Sequence, residues 1–443
     1  MNINHYTSFY LFNIVITLSL LLTHCTSAET RLFDSEPDVR VRIINTKNNL
    51  LIDFEGSWQL NHGSETMEIA NAEAVQFSVC PQNKQITMIL ADTLTFVTDR
   101  INFIANDENA TISIADVPYG VGWWWEGKEK RTYEGEIYLY VNTDDLFDVV
   151  VQLPLEEYLK GVVPYEIGGN SPLEALKAQA VAARCEAVIA LRSGLYSGEN
   201  HDLTSDVECQ VFSGNGRRTP ASDKAVELTR GIILTENGAP INAYYASNCG
   251  GVSELIRNVW FERVEYESYK VHNKDSKNRM DIDLSTESAA REWIFSSPHV
   301  LCNPDAGVEL PLFSQQNFRW ERSFSAAELT KMLSNDNQYG KLIDIVPQKR
   351  GVSGRIYLAD FVFENQTIQV KGELNIRQMW KPALRSANFV VNMEGDSIML
   401  HGAGWGHGVG MCQSGAISLA KQGYSFDFIL NHYYTKASVT GMY

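Results

Sequence analysis

One carboxylic acid, Glu166, stands in the run Gly161-Val162-Val163-Pro164-Tyr165-Glu166-Ile167-Gly168-Gly169, where almost every neighbour is apolar. Apolar surroundings disfavour the charged form of a carboxyl and raise its pKa toward the working range of a general acid. Glu166 is therefore the leading candidate for proton transfer, against the plainer reading of a loop glutamate that only helps to start the next helix. That starting role has other candidates, because Ser171, Pro172 and Glu174 read as a capping box with proline at the first helical position. A helix of about six turns is expected from there to a stop at Gly194. Its wheel places Leu173, Leu176, Ala180, Ala183, Ala187 and Leu191 on one inward stripe, with Lys177 and Arg184 within about 40° of it. Cations facing a core need carboxylates or a substrate. Both are candidate substrate ligands, against the plainer reading of structural ion pairs or snorkelling stems.

From Gly402 to Gly410 every second residue is glycine. An extended chain there has one face bare of side chains and the other carrying His401, Ala403, Trp405, His407 and Val409. A bare face admits a close neighbour, either a polymeric ligand or another strand. No GK[ST] follows, so this is not a phosphate loop. His407 is the second candidate for the site. Cys249, in Asn248-Cys249-Gly250-Gly251, is an alternative nucleophile; no sequence feature assigns it a base, although folding could bring His407 or His432 to it.

The run YLKGVVPYEIGGNSPLEALKAQAVAAR closely resembles the signature of the stage II sporulation protein D family, exported lytic transglycosylases of the bacterial cell wall. AYYASNCGG at 243–251 and GAGWGHGVGMCQSGAISLAKQGYSFDFILNHYY at 402–434 resemble its middle and C-terminal motifs, in the family's order. The resemblance implies a catalytic role for Glu166. Tyr165, Lys177, Arg184, Trp405, His407 and Gln413, within the matching stretches, are the candidate substrate-binding residues. It also implies the reaction: cleavage of the β-1,4 bond between N-acetylmuramic acid and N-acetylglucosamine without water, leaving a 1,6-anhydro end. Ordinary glycosidases use two carboxyl groups, whereas attack by the sugar's own 6-hydroxyl lets one residue serve as acid and then base. The alternative is a non-catalytic cell-wall module of the amidase-enhancer kind. Some members carry a Cys/His metal site in the region matching HDLTSDVECQVF. Here Thr204 and Glu208 stand where that pattern wants Cys and His, leaving His201 and Cys209, and neither metal nor cofactor is expected. The implied partner is the peptidoglycan glycan strand; nothing points to a protein partner.

The elements that must position these residues begin with a β-rich stretch. Period-2 strands are expected at 39–43, 86–90, 112–114 and 136–141. The last leads directly to Leu153 and the Glu166 stretch. Trp123, Trp124 and Trp125 invite a sugar-stacking reading, but three consecutive aromatics cannot share one face, so at least one belongs to a core. Later, 210–214 reads as a strand, 231–241 as a hairpin turning at Asn237-Gly238, 325–333 as a helix and 355–363 as a strand. Ser414 and Ser425 are expected to cap two short helices. The fold class is α+β: a mixed, sheet-rich fold with a long helix in the catalytic region and short C-terminal helices. The expected division is a β-rich region at 29–129 and a catalytic domain at 130–443, with an exposed polar insertion near 272–290.

With 37 basic against 54 acidic residues the net charge is −17, which argues against nucleic acid as the main partner, since polyphosphate recognition wants a basic face. The apolar run at 8–23, followed by Thr26-Ser27-Ala28, reads as an export signal at 1–28 rather than an anchor. His24 makes a poor lipidation site before Cys25. The protein is therefore expected in the cell envelope, periplasmic or extracellular. Beyond the signal the cysteines are scattered with no CxxC, which speaks against a sequence-obvious zinc site, and their even number permits disulfides whose pairing the spacing does not specify. N-terminal sequencing of the exported protein is expected to start near Glu29; Met1 on soluble cytoplasmic protein would refute the signal.

Overall fold

The computed structural model describes residues 31–80, 85–90, 93–123, 125–260, 282–334 and 338–443. The signal at 1–28, Cys25, Trp124 and residues 272–281 of the expected insertion lie outside the described residues.

Alternation of apolar and polar residues builds two sheets, antiparallel except where Leu203–Thr204 runs parallel to Asp38–Thr46, as expected of half-buried strands. A seven-stranded sheet has Asp38–Thr46, Phe147–Pro154 and Glu136–Val141 side by side; a six-stranded sheet has Thr111–Tyr119 and Leu50–Glu55 at its centre. Val39, Val41, Ile137, Leu139, Val149 and Val151 of the first sheet are wholly buried. Phe54 stacks edge-on against Trp58, and Phe77 against Phe103, in the same core. That core continues without a break into the helices and reaches Met442. The division expected at 129/130 lies inside the strand Gly127–Tyr133.

The strand Phe147–Pro154 runs straight into a first helix, α1 (Leu155–Ile167), with Pro154 at its N-cap. Propensity argues against a helix here, since Gly161, Val162, Val163 and Pro164 are poor helix formers. Burial decides otherwise: Leu155, Tyr158, Leu159, Val162, Val163 and Ile167 are all inaccessible to solvent, and packing outweighs propensity. Gly161 has a second use, since a Cβ there would sit 2.4 Å from the Phe212 ring.

The long helix α2 spans Leu173–Ser193 and stops at Gly194 in the left-handed conformation, as expected. The expected capping box is absent. Pro172 is the N-cap, Ser171 Oγ donates to Ile167 O at 2.6 Å, and Glu174 instead accepts from Lys177 and from the Phe426 N–H. Nor is burial confined to one stripe: Leu176, Ala180, Ala183 and Ala187 are buried, but so are Ala175, Ala178, Gln179, Val181, Ala182, Arg184, Cys185 and Val188. Alanines on every side let α1, the helix Pro220–Leu228 and the C-terminal helices close on α2 together.

A second hydrophobic core, between Trp320 and Leu400, is enclosed by two three-stranded sheets and centres on Phe361, Trp380 and Phe389. Ala326–Leu333, capped by Ser325, and Ile356–Phe363 match expectation, as does the hairpin at Asn237-Gly238, where both residues take positive φ. Ser425 caps Phe426–Tyr433. Ser414 does not cap: it lies within Gln413–Lys421, where its hydroxyl donates to Ser247 O. The fold is α+β and sheet-rich, with α2 the longest helix among the described residues and short helices at the C-terminus.

Arg184 and Glu156 join these parts. Arg184 is fully buried and Glu156 is 2% exposed, and they meet through two hydrogen bonds of 2.9 and 2.5 Å. Burial alone would raise the Glu156 carboxyl, but Arg184, Tyr443 and the Gly231 N–H outweigh it and hold it below the ordinary range. Removing one member of such a pair strands a buried charge. Arg184→Met is expected to lower the unfolding free energy by about 3–5 kcal/mol, and the double change with Glu156→Met by clearly less. Urea unfolding at neutral pH of the four proteins checks this; equal losses in single and double variants would contradict it.

Candidate active site

Glu166 occupies the last turn of α1 and is half-buried. Desolvation pushes its carboxyl up to about 7, against a hydrogen bond from the Val211 N–H at 3.1 Å and contacts with the side chains of Gln413 and Tyr245. The stretch 210–214, expected as a strand, is not one. Three of its amides turn individually to partners, Val211 to Glu166, Phe212 to Ser205 O and Ser213 to Gly161 O, and these three are not available to a ladder.

The hydrogen-bond directions around Glu166 can be followed outward. Gln210 donates its amide to Ala183 O of α2 at 3.1 Å, which fixes its oxygen as an acceptor, and Tyr245 donates its single proton to that oxygen at 2.8 Å. Tyr245 also contacts Glu166, where, like Val211 and Gln413, it favours the ionised carboxyl. Gln413, 3% exposed, donates to Gln179 Oε1 at 3.1 Å across to α2.

A second carboxyl, Glu186, shares this environment. It is partly buried on α2, and desolvation, with the nearby charge of Glu166, raises it to about 8. Sequence reading missed Glu186, Gln179, Gln210 and Tyr245. A signal existed for two of them: Gln179 and Glu186 are seven residues apart, two helical turns, and so share one face of an otherwise alanine-rich helix.

The expected substrate-binding residues fall into three groups. Gln413 and Tyr165 lie with Glu166; the half-buried Tyr165 ring is covered by Arg217, 4.4 Å away, and by Arg131, 5.8 Å away. Lys177 and Arg184 are engaged elsewhere, and this corrects the expectation. Lys177 pairs with Glu174 at 2.7 Å and covers the Phe426 ring. Arg184 spends its donors on Glu156 and Ile232 O. Both took the plainer reading, because a carboxylate stood within one or two turns or on the facing helix.

Trp405 and His407 sit on the glycine run, which is not the extended strand expected from its alternation. Gly404, Gly406, Gly408 and Gly410 all take positive φ, a conformation that suits glycine. The bare positions admit protein, not ligand: a Cβ on Gly408 would lie 2.3 Å from Arg355 Cζ, and one on Gly410 would lie 1.8 Å from Tyr244 O. Trp405 forms a backbone bridge with Asn248. His407 packs on Trp260 and takes the Val409 N–H on Nδ1 at 3.0 Å. Desolvation, then Arg355 and Arg377, lower it to about 3. It is a neutral histidine held by its neighbours, and not a base for neutral pH. Of the tryptophans near 124, Trp125 stacks on Tyr119 and Trp123 lies under the Arg377 guanidinium.

His201 and Cys209 lie in the irregular stretch after α2. His201 is buried with neither ring nitrogen hydrogen-bonded among the described residues, while Cys209 Sγ accepts from the Thr204 N–H at 3.5 Å. Elsewhere three residues that are scattered in sequence converge: the sulfurs of Cys249, Cys302 and Cys412 lie within 4.8 Å of one another. Their spacing along the chain does not reveal this convergence. Cys249 therefore has thiols beside it, where the nucleophile reading needs a base.

Residues 143–235 match the family described as stage II sporulation protein, and residues 255–410 match a domain family of unknown function. The chain is 25% identical to an uncharacterized protein of Brachyspira hyodysenteriae over 92% of this chain and 94% of that protein. It is 28% identical to stage II sporulation protein D of Bacillus subtilis, over 66% of this chain and 76% of that protein. It is 29% identical to the amidase enhancer of Bacillus subtilis, over 64% of this chain but only 40% of that protein's length. The stretch that carries Glu166, Gln179, Glu186 and Gln210 is thus the stretch matched by the family, and the chain bears a stage II sporulation protein D domain at residues 143–235.

Proposed function

We propose that this chain is an exported peptidoglycan lytic transglycosylase, acting on glycan strands in the cell envelope with Glu166 as acid and then base. The observation that carries the reading is the Glu166 carboxyl, raised to about 7 by desolvation at the end of α1 and within reach of donors that support its ionised form. Ionised, it keeps the Val211 N–H and Gln413.

In the first half of the reaction Glu166 gives its proton to the glycosidic oxygen as the bond from the muramic acid C1 breaks. In the second, the C6 hydroxyl of that same sugar bonds to C1 and passes its proton to the Glu166 carboxylate. The acid is regenerated and no water is consumed. Hydrolysis by two carboxyls would need one of them ionised to activate water. The product end, anhydro or hydrolysed, separates the two routes. The second reading is a non-catalytic cell-wall module, prompted by the likeness to an amidase enhancer.

Glu166→Gln keeps the shape and removes the transferable proton. It is expected to lower the yield of anhydro product by about 10⁴-fold or more, since one group serves both proton transfers. Stability should move the other way. A carboxyl raised from 4.5 to about 7 stabilises the fold below its unfolded pKa, and that contribution is lost as pH rises through the folded value. The variant should therefore match wild type near pH 4.5 and gain on it progressively toward pH 8. Mass spectrometry of the products from purified glycan, beside thermal unfolding at both pH values, checks the two effects. Near-wild-type anhydro yield from the variant, or no cleavage by wild type, moves the reading to the binding module; hydrolysed ends would show that water competes.

A further inference from the structure

We propose that Cys249, Cys302 and Cys412 together bind one zinc ion, in a site separate from Glu166 and from the His201–Cys209 stretch.

The three sulfurs come from distant parts of the chain. Cys249 follows the short strand Tyr245–Ala246, Cys412 lies on Met411–Cys412, and these strands pair in parallel with Ala246 beside Cys412. Cys302 arrives on a loop tied down by Asn248, whose Nδ2 reaches Cys302 O at 3.4 Å and Ser414 Oγ at 3.2 Å. The residues are 1%, 0% and 2% exposed.

Distance separates the ways in which thiols can associate. The sulfurs of Cys249 and Cys302 are 3.8 Å apart, and all three lie within 4.8 Å of one another. A tetrahedral ion with sulfur ligands at about 2.3 Å puts them about 3.8 Å from each other. A disulfide would bring two sulfurs to about 2.05 Å and leave the third thiol over. A metal uses all three, and the fourth tetrahedral position is open to a non-protein donor.

Charge selects the ion. Arg319 lies within electrostatic reach of Cys302 and Cys249. Its hydrogen bonds among the described residues all go to backbone carbonyls, those of Ile294, Gly250, Phe318, Trp293 and Ser296. Arg319 is half-buried, and a cation whose hydrogen bonds go to neutral dipoles favours a countercharge nearby. Three thiolates with Zn²⁺ carry one negative charge, which Arg319 neutralises; with a monovalent copper ion they would carry two. The Cys249 N–H also points at Cys412 Sγ, 3.3 Å away, a donor of the kind that supports a metal-bound thiolate.

The test uses the full-length mature chain, purified under reducing conditions, loaded with zinc, dialysed against a weak chelator and assayed for metal. The expected result is one zinc per chain. Cys249→Ser, Cys302→Ser and Cys412→Ser should each weaken retention by more than the roughly 10- to 100-fold typical of residues that merely support a ligand, whereas Cys185→Ser retains it. Because a serine variant could fail to fold, the wild-type protein is also alkylated with and without zinc and mapped by mass spectrometry. Zinc should protect Cys249, Cys302 and Cys412 together and leave labelling of Cys209 unchanged. Three reduced thiols that hold no zinc, a disulfide between two of them that excludes it, or retention of copper(I) alone would each overturn the proposal.

Discussion

The buried pair of Arg184 and Glu156 is the interaction on which the remaining architecture rests. One carboxylate receives the guanidinium of α2, the N–H of Gly231 and the hydroxyl of Tyr443, while the same guanidinium reaches Ile232 O. Two helices, the strand that starts at Ile232 and the chain's last residue therefore meet at a single desolvated charge pair. Neither partner can be released singly without leaving an unpaired ion in the core. This fixes where α1 starts relative to α2, and so where its last turn delivers Glu166.

The same core treats two sets of acids in opposite ways. Glu156 is surrounded by donors, and its charge is retained against the desolvation that burial imposes. Glu166 and Glu186 sit among apolar groups and amides, with no guanidinium hydrogen-bonded to either among the described residues, so desolvation prevails and both rise toward or past neutrality. Structural and chemical carboxyls differ here by their partners more than by their depth. Alanine and glycine make that depth reachable: small residues all round α2 let its neighbours approach, and Gly161 lets Phe212 lie across α1.

The glycine run at 402–410 follows the same economy of space. Its positive φ angles wrap the backbone around Arg355, whose donors hold Gly406 O and Cys249 O. Three segments that resembled family motifs in sequence are thus joined physically. The middle one pairs with the C-terminal one through Tyr245–Ala246 and Met411–Cys412, and Gln413, the next residue, reaches the first at Glu166.

Much of this was legible from the residues alone. Strand periodicity, α2 with its stop at Gly194, the turn at Asn237-Gly238 and the raised carboxyl at Glu166 follow from local chemistry: apolar spacing, a left-handed glycine and a hydrophobic neighbourhood. What tertiary structure decided was every question of partnership. The first helix formed against its own propensities because burial of its apolar side chains outweighed them. Arg184 and Lys177 were identified as inward cations, but a wheel gives direction and not the carboxylate that waits there. His407 was picked for its type, yet its basicity is set by desolvation and two arginines far away in sequence. Glu186 and the three clustered cysteines went unseen for the same reason: desolvation and sulfur-to-sulfur distance are properties of the packed chain, and spacing along the sequence does not encode them.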